Sequence, residues 1–324
     1  MTHAIRFHQT GGPEVLVWEE VKLGKPGPGE ARIRHTAVGL NFVDIYNRSG
    51  LYPSELPSGL GSEGAGVVEE VGSGVSDLKP GDRVAYGNGP LGAYAEARLI
   101  PADRLLKLPD GIDDKTAAAM MLKGLTVQYL IRQTYRVKAG DTILLHAAAG
   151  GVGLILGQWA KHLGATVIGT VGSDEKAKLA KAHGCAHTVV YTREDFVKRV
   201  GEITEGKKVP VVDDSVGKDT FLKSLDCVAP LGVVALFGQS SGSVEPLNLG
   251  LLAQKGSLYV TRPTLNTYGA RRENLVAMAK ELFEVVLSGA VKIEVNQTYP
   301  LKDAAKAHAD LAARKTTGST VLTV

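Results

Sequence analysis

Residues Asp141 to Val171 read DTILLHAAAGGVGLILGQWAKHLGATVIGTV and decide the fold. They contain an apolar strand (Thr142 to Ala147), a glycine-rich turn, a helix and a second apolar strand (Thr166 to Val171). This is the order of a mononucleotide-binding βαβ unit. Six apolar side chains of the helix fall on one face, as a helix that packs on a sheet requires: Val152, Ile155, Leu156, Trp159, Ala160 and Leu163.

The turn is rich in glycine at the point where a phosphate would bind. Gly150, Gly151 and Gly153 let the backbone approach a pyrophosphate and let the helix pack closely on its strand. The helix N-terminus presents unpaired N–H groups and a partial positive charge, which stabilise an anion. Ala148 stands at the first position, so the motif is A-x-G-x-x-G rather than the common G-x-G-x-x-G. Because this motif lies between two apolar strands, it predicts a dinucleotide site that includes Gly150, Gly151 and Val152.

The end of the second strand favours NADPH over NADH. An NAD site usually has Asp or Glu there, which accepts a hydrogen bond from the ribose 2′-hydroxyl. Here Gly172 and Ser173 leave room for a 2′-phosphate, and Lys176 can neutralise it. Other interpretations stay open. Ser173 or Asp174 can cap the next helix, Lys176 can be a solvated helix residue, and Asp174 can be the ribose acid displaced by one residue.

Length and composition indicate a globular protein of two domains. The chain has 324 residues, of which 44% are hydrophobic and 22% charged, and its net charge is +3. One core rarely grows this large, and the small, dispersed charge does not favour nucleic acid. We find no apolar run long enough for a bilayer and no signal-peptide segment, so we expect a cytoplasmic protein. Cys185 and Cys227 are far apart, and we interpret both as small core residues.

The rest of the chain separates into a β-rich part and an α/β part. Residues 1–110 alternate short strands with Pro- and Gly-rich turns, which predicts a small barrel-like β domain. A helical stretch follows at 115–134. The tail beyond residue 263 is too short to be a domain and is expected to complete the β domain. The strands predicted in the β-rich part are 31–38, 64–71 and 93–99; in the tail, a strand is predicted at 319–324 and helices at 271–288 and 302–314.

Between residues 141 and 262 strands alternate with helices, which predicts a six-stranded, doubly wound parallel sheet. The four further strands are predicted at 187–191, 209–213, 232–237 and 257–261. The ligand crevice of such a sheet lies beyond the carboxyl ends of its strands. That rule places the following residues beside the cofactor: Tyr191, Ser215, Phe237, Gly238, Gln239 and Ser240.

Five blocks resemble a known family: GLNFVD from Gly39, GLGSEGAGVVEEVGSGVSDLKPGDRV from Gly59, LKGLTVQY from Leu122, AAAGGVG from Ala147 and YVTRP from Tyr259. Over essentially its full length the chain is similar to the zinc-free medium-chain dehydrogenases/reductases, in particular the NADPH:quinone oxidoreductases related to zeta-crystallin. The resemblance implies an α/β protein with a Rossmann domain at 125–264. It also implies a GroES-like, β-rich catalytic domain at 1–124 and 265–324, a cleft between the two and a homodimer.

The chain departs from the zinc-dependent relatives at their metal ligands, which are Cys, His and Cys. The matching places hold Asn41, Ser62 followed by Glu63, and Lys123. None of these is a suitable zinc ligand, so we expect no metal site. Alcohol oxidation gains from a Lewis acid that lowers the hydroxyl pKa, whereas a quinone or conjugated enone accepts hydride without one. The expected reaction is therefore reduction.

The resemblance also implies site residues. Asn41, Tyr46 and Tyr52 are similar to the family's pocket residues beside the nicotinamide; Asn41 can hydrogen-bond the cofactor or the substrate carbonyl. The two tyrosines either donate to the developing oxyanion or form apolar walls against the quinone ring. Thr126 is expected to contact the nicotinamide ribose or amide, although it can also be an ordinary helix residue, and Tyr129 is expected to bind the cofactor.

At the adenosine end the resemblance implies a phosphate clamp of Lys176, Tyr191 and Arg314. Arg314 can equally be a solvated side chain. Arg262 can neutralise the pyrophosphate or fix the domain hinge. His146, on a buried strand, is interpreted as a core residue.

Three hypotheses result. The leading one is an NADPH-dependent quinone reductase that uses neither metal nor flavin. The nearest rival is an alkenal or enone reductase, since the same residues would deliver hydride to a β-carbon. The third is a non-catalytic protein that binds NADPH or RNA, and an RNA binder should show a clustered basic face.

Overall fold

The computed structural model describes all residues from Met1 to Val324. The first part of the chain contains β1 (Thr2–Phe7), β2 (Leu16–Val21), β3 (Glu30–Leu40), α1 (Phe42–Ser49), β4 (Ser58–Gly59), β5 (Gly64–Val71), β6 (Arg83–Tyr86), β7 (Ala97–Pro101), β8 (Leu106–Lys107) and α2 (Asp114–Tyr129). A π-helical turn, Leu130–Thr134, follows α2, and single 3₁₀ turns lie at Pro13–Val15, Ala102–Arg104 and Leu301–Asp303.

The middle part contains β9 (Thr142–Leu145), α3 (Gly151–His162), β10 (Thr166–Val171), α4 (Asp174–Ala182), β11 (Cys185–Val190), α5 (Phe196–Ile203), β12 (Val209–Asp214), α6 (Phe221–Cys227), β13 (Val228–Leu236), α7 (Gly250–Gln254) and β14 (Tyr259–Thr261). The last part contains α8 (Leu265–Tyr268), α9 (Arg272–Leu287), β15 (Val295–Pro300), α10 (Ala304–Ala312) and β16 (Ser319–Thr323).

These elements form two compact units. The first comprises Met1–Leu125, Tyr268–Leu287 and Ile293–Val324, and the second comprises Thr126–Thr267 and Ser288–Lys292. We refer to them as the β unit and the nucleotide unit.

The β unit contains a seven-stranded sheet in the order β15-β16-β3-β5-β6-β8, with β7 also paired to β3. A three-stranded sheet, β2-β1-β4, accompanies it. The C-terminal strand β16 pairs antiparallel with β3, where Val321 lies opposite Gly39. The tail therefore completes the β-rich domain, as predicted. Its core is formed by buried side chains from both ends of the chain, among them Ile5, Phe7, Ile33, Tyr86, Tyr94, Leu301 and Leu322.

One predicted strand of this unit is wrong in position. Residues 93–99 were expected to be extended, but β7 begins only at Ala97, which pairs with Arg34 of β3. Before it, Tyr94 is buried and its backbone N–H donates to Leu60 O at 2.8 Å, outside any strand ladder. Residues 94–96 instead form an isolated antiparallel bridge with β1, in which Ala95 lies opposite Ala4.

The nucleotide unit contains six parallel strands in the order β11-β10-β9-β12-β13-β14. This confirms the doubly wound sheet predicted from the sequence. The strand order reverses between β9 and β12, and ligands of such sheets bind outside the carboxyl ends at this reversal. The loops after β9, β10, β12 and β13 therefore decide what the unit can bind.

Candidate functional site

The glycine turn after β9 has the geometry of a phosphate site. Helix α3 begins at Gly151, and Gly150 is its N-cap in an extended conformation. A Cβ at Gly153 would lie 2.5 Å from Ala147 O and 2.7 Å from the Ala148 backbone, so only glycine fits there. The first N–H groups of α3 thus open toward the carboxyl edge of the sheet, where an anion is favoured.

Ala148 stands at the first glycine position of the usual motif, and the neighbouring strand leaves room for its methyl group. Its N–H donates to Thr170 O at 3.1 Å. Its methyl group faces Gly169 on the neighbouring strand, where a Cβ would lie only 2.6 Å from the Ala148 Cβ. Because residue 169 is glycine, the Ala148 methyl group fits between the two strands, and a glycine at position 148 is not needed.

The predicted cofactor residues of the nucleotide unit follow the carboxyl ends of its strands. They are Gly150, Gly151 and Val152 after β9, Gly172, Ser173 and Lys176 after β10, Tyr191 after β11, Ser215 after β12, Phe237, Gly238, Gln239 and Ser240 after β13, and Arg262 after β14. The loops pack closely, since a Cβ at Gly238 would lie 2.6 Å from Ser215 O. Arg262 donates to Leu236 O at 2.7 Å, which anchors it to the end of β13.

At the end of β10, Ser173 caps helix α4 and accepts from the Lys176 N–H at 3.3 Å. The capping interpretation is therefore confirmed. Asp174 is engaged by Arg193, whose Nη1 donates to Oδ2 at 2.8 Å, and this hydrogen bonding lowers the pKa of Asp174. Tyr191 lies against Gly172, where a Cβ would be 2.9 Å from the tyrosine hydroxyl.

Arg193 was missed by the sequence reasoning. It lies two residues beyond Tyr191, after β11, and forms an ion pair with Asp174 in the first turn of α4. The sequence could have indicated this residue, because β10 and β11 are adjacent in a doubly wound sheet and the loops after them therefore lie close together.

In the β unit, Asn41 caps the N-terminus of α1 and belongs to a buried polar network. Its Nδ2 donates to Glu63 Oε2 at 2.7 Å, and the Lys123 ammonium donates to the same oxygen at 2.8 Å. All three side chains are buried. Asn41 and Lys123, which resemblance placed at two of the metal-ligand positions, thus both contact Glu63, the residue after the third position, Ser62.

Tyr46 and Tyr52 are brought together by α1 and the turn after it. Their ring centroids lie 5.3 Å apart in an edge-to-face arrangement. The Tyr52 N–H donates to Tyr46 O at 3.0 Å, which fixes their spacing. Tyr46 is buried and Tyr52 half-buried. The pair forms an aromatic surface with hydroxyl groups, which suits either predicted role.

A second buried network, also missed from the sequence, lies behind α1. The Tyr94 hydroxyl donates to Asp44 Oδ2 at 3.0 Å and lies 3.0 Å from His308 Nε2. Burial raises the pKa of Asp44 to about 7 and lowers that of His308 to about 3. Asp44 also accepts from the Asn41 backbone N–H at 2.9 Å. The network fixes the start of α1, and with it Asn41.

The remaining predicted residues lie as follows. Thr126 and Tyr129 are buried at the end of α2, and Arg314 is exposed after α10, in a left-handed conformation with φ 58°. His146 is a core residue as predicted: it contacts Thr170 Oγ1 at 2.8 Å and Ser224 Oγ at 2.9 Å, and burial lowers its pKa. Both cysteines are free and buried, which confirms their interpretation as core residues.

Two further features concern metal ions and membranes. No group of three or more His, Cys, Asp or Glu side chains is arranged to hold a metal ion. None of the helices combines the length and the apolar character that a membrane span needs.

Comparison with known proteins defines the class. Residues 27–110 match the alcohol dehydrogenase GroES-like domain, and residues 151–282 match the domain described as zinc-binding dehydrogenase. The β unit is therefore GroES-like and the nucleotide unit Rossmann-like.

Three relatives narrow the class. A quinone oxidoreductase of Pseudomonas aeruginosa is 59% identical over 99% of both chains. The structure of Escherichia coli quinone oxidoreductase with NADPH has a TM-score of 0.98 at 52% identity, covering 99% of this chain and 100% of that one. A 2-haloacrylate reductase of Burkholderia is 50% identical over 99% of both chains. The chain belongs to the quinone oxidoreductase family of the medium-chain dehydrogenases/reductases and is an oxidoreductase.

Proposed function

We propose that this enzyme is an NADPH-dependent quinone reductase that transfers hydride without metal or flavin. The observation that carries the proposal is the full-length similarity, at a TM-score of 0.98, to a quinone oxidoreductase whose structure contains NADPH. The residues fit that cofactor, since Gly153 leaves the space that α3 needs to present its N-terminus and Gly172 lets the Tyr191 hydroxyl lie against the end of β10. Bound NADPH would supply the hydride.

The protein's own residues position the reactants. The N–H groups of α3 bind the pyrophosphate, and Asn41 holds the nicotinamide end. Tyr46 and Tyr52 bind the acceptor ring and exclude water. We assign residues 125–264 to cofactor binding and residues 1–124 with 265–324 to catalysis. The contributions of Thr126, Tyr129, Arg262 and Arg314 stay predictions.

The proposal is tested with a panel of quinones and conjugated enones, including a 2-haloacrylate, each assayed with NADPH and with NADH. We expect the highest kcat/KM for a quinone with NADPH. A higher kcat/KM for enones would favour the rival enone reductase, and turnover of neither class would reject both.

The preference for NADPH gives a direct prediction at Lys176. Lys176→Ala should weaken NADPH by about tenfold or more, because a charge-assisted contact to the 2′-phosphate is lost. NADH affinity should hardly change, since NADH has no phosphate there. Lys178→Ala, on the exposed side of the same helix, is the control and should leave both affinities unchanged. Equal weakening of both cofactors by the Lys176 variant would contradict the clamp.

Tyr52→Phe decides between the two roles of the aromatic pair. If the hydroxyl donates to the developing oxyanion, kcat should fall by roughly tenfold or more at unchanged quinone KM. If Tyr52 is only a wall, kcat should be unchanged, because phenylalanine keeps the edge-to-face contact with Tyr46. Steady-state kinetics with the best quinone of the panel distinguishes the two.

We further propose a homodimer in the cytoplasm. Strand β14 is an edge of the six-stranded sheet. Three exposed apolar side chains belong to this strand and its neighbours in the chain: Tyr259 on β14 at 62%, Leu231 on β13 at 66% and Leu249, just before α7, at 72% exposure. Two copies that pair these edges about a twofold axis would cover them. The two free, buried cysteines suit a reducing compartment.

This proposal predicts that Leu249→Glu with Tyr259→Glu produces a monomer. The two added carboxylates per copy would face each other across the twofold axis and repel. Light scattering after size exclusion should show the mass halved. Val17→Glu, an exposed position on β2, is the control and should remain dimeric. A monomeric wild type would contradict the proposal.

A further inference from the structure

Glu63 and Lys123 form an ion pair that is almost completely shielded from water. Their side chains are 0% and 7% exposed, and the ammonium lies 2.8 Å from Glu63 Oε2. Burying two charges is costly even when they pair, and apolar residues of similar volume often stabilise a fold equally well. A role beyond holding the fold together is therefore worth seeking, and the contacts of the carboxylate indicate one.

Both oxygens of the Glu63 carboxylate accept hydrogen bonds from neighbouring groups. Oε1 accepts from the Leu122 backbone N–H at 2.8 Å, and Oε2 accepts from Lys123 and from Asn41 Nδ2. The backbone leaves room for this arrangement at Gly39, where a Cβ would lie 2.2 Å from Glu63 Oε2 and 2.2 Å from Ala118 O. The chain thus accommodates an ionised carboxylate in a fixed orientation beside Asn41.

The ion pair fixes the polarity of the Asn41 amide. A carboxylate only accepts hydrogen bonds, so the amide must turn its NH₂ group toward Glu63. The carbonyl oxygen Oδ1 then lies on the other branch of the side chain, where it belongs to the capping box of α1 with the Asp44 backbone N–H. An amide oxygen has two lone pairs, so Oδ1 can accept from a second donor. A neutral amide at position 63 would allow the opposite orientation.

We infer that Lys123 is a positioning residue: together with Glu63 it holds Asn41 with Oδ1 turned away from the carboxylate, as an acceptor for a hydroxyl or amide N–H of the nicotinamide half of NADPH. The inference rests on the proposed function and narrows it. Of the two partners expected from the sequence, cofactor and substrate carbonyl, it assigns Oδ1 to the cofactor, since a quinone oxygen has no hydrogen to donate to Oδ1.

The test replaces the ion pair by a neutral pair of similar shape, Glu63→Gln with Lys123→Met. The introduced amide can accept from the Leu122 N–H with its oxygen, and its NH₂ group then occupies the place of the carboxylate Oε2. Asn41 must present Oδ1 to that group, which inverts its own amide. No charge is left unpaired, but the inverted amide no longer accepts from the Asp44 N–H, so we expect the melting temperature to fall by only a few degrees.

The expected result is a rise of about tenfold or more in the dissociation constant of NADPH. The hydrogen bond from the cofactor to Asn41 Oδ1 is lost, and the inverted Asn41 NH₂ group then faces the donor on the cofactor. The KM of the quinone should be unchanged. Fluorescence titration measures NADPH binding without turnover, so the inference is tested even if no quinone is reduced. A double variant that binds NADPH as the wild type does would overturn it, as would a parallel loss of quinone and NADPH affinity at unchanged melting temperature.

Two further variants keep the test decisive if the double variant folds poorly. Asn41→Ala leaves the ion pair intact and should weaken NADPH by a similar factor; adding it to the double variant should cause no further loss, since both changes remove one contact. Unchanged NADPH affinity in Asn41→Ala would also overturn the inference. The control is Asp82→Asn with Lys107→Met, which removes a more exposed ion pair of the same unit and should bind NADPH normally.

Discussion

Replacing Gly153 with alanine is expected to reduce NADPH affinity by roughly 100-fold, because displacing the start of α3 removes about 3 kcal/mol of pyrophosphate binding. The added Cβ would lie 2.5 Å from Ala147 O and 2.7 Å from Ala148 Cα. Both are backbone atoms and cannot rotate aside. Helix α3 must therefore move off its strand, which should also cost about 1–3 kcal/mol of stability through overpacking.

Gly201→Ala is the matched control. Gly201 lies inside α5, and a Cβ there would meet no atom within 4 Å. Alanine is favoured over glycine in a helix by up to about 1 kcal/mol, so this variant should be slightly more stable. Its NADPH affinity should equal that of the wild type. Titration and thermal melts of both variants measure the contrast, and similar NADPH affinities would show that α3 need not pack so closely.

The nucleotide unit was predictable because its signals are local. Each strand of a sheet covered on both faces is a continuous apolar run, and the turn after β9 requires glycine for reasons visible within a few residues. The strand bounds differ by a few residues. For example, β13 begins at Val228 rather than at residue 232, since Val228 pairs with Val209 across a register shift.

The β unit was less predictable because its polar contacts join distant parts of the chain. Tyr94 and His308 are 214 positions apart, and no periodicity indicates that they meet. The sequence shows that Asn41, Ser62 and Lys123 do not supply the zinc ligands of the relatives. It does not show that the lysine pairs with Glu63, because pairing depends on how α2 packs beside β5.

The adjacent residues Asp213 and Asp214 should respond oppositely to the same substitution. Asp213 is 1% exposed, its Oδ1 has no hydrogen-bond partner, and burial raises its pKa from 3.8 to about 7. The folded protein therefore keeps this proton up to about pH 7, whereas the unfolded chain releases it near pH 4. The free energy of unfolding falls as the pH rises through this window and is lowest above it.

Three pKa units correspond to about 4 kcal/mol, so Asp213→Asn should stabilise the protein at pH 8 by an amount approaching that value. At about pH 4 the gain should vanish, because the wild-type carboxyl is then protonated in the folded state and close to protonated in the unfolded one. The measurement is the difference in melting temperature between variant and wild type at the two values. The raised pKa of Asp44 acts in both proteins and cancels in that difference.

Asp214→Asn should instead destabilise the protein at both pH values. The Asp214 carboxylate accepts from the backbone N–H groups of Val216 and Gly217 and from the hydroxyls of Thr220 and Ser224, at 2.8 to 3.1 Å. In the amide, an NH₂ group replaces one of these accepting oxygens and faces the same donors. We expect this to lower the free energy of unfolding by about 1–3 kcal/mol. The two substitutions thus have effects of opposite sign, because the Asp214 carboxylate accepts from four residues whereas Asp213 has a buried oxygen without a hydrogen-bond partner. Equal effects of the two substitutions at pH 8 would mean that Asp213 binds a partner of its own.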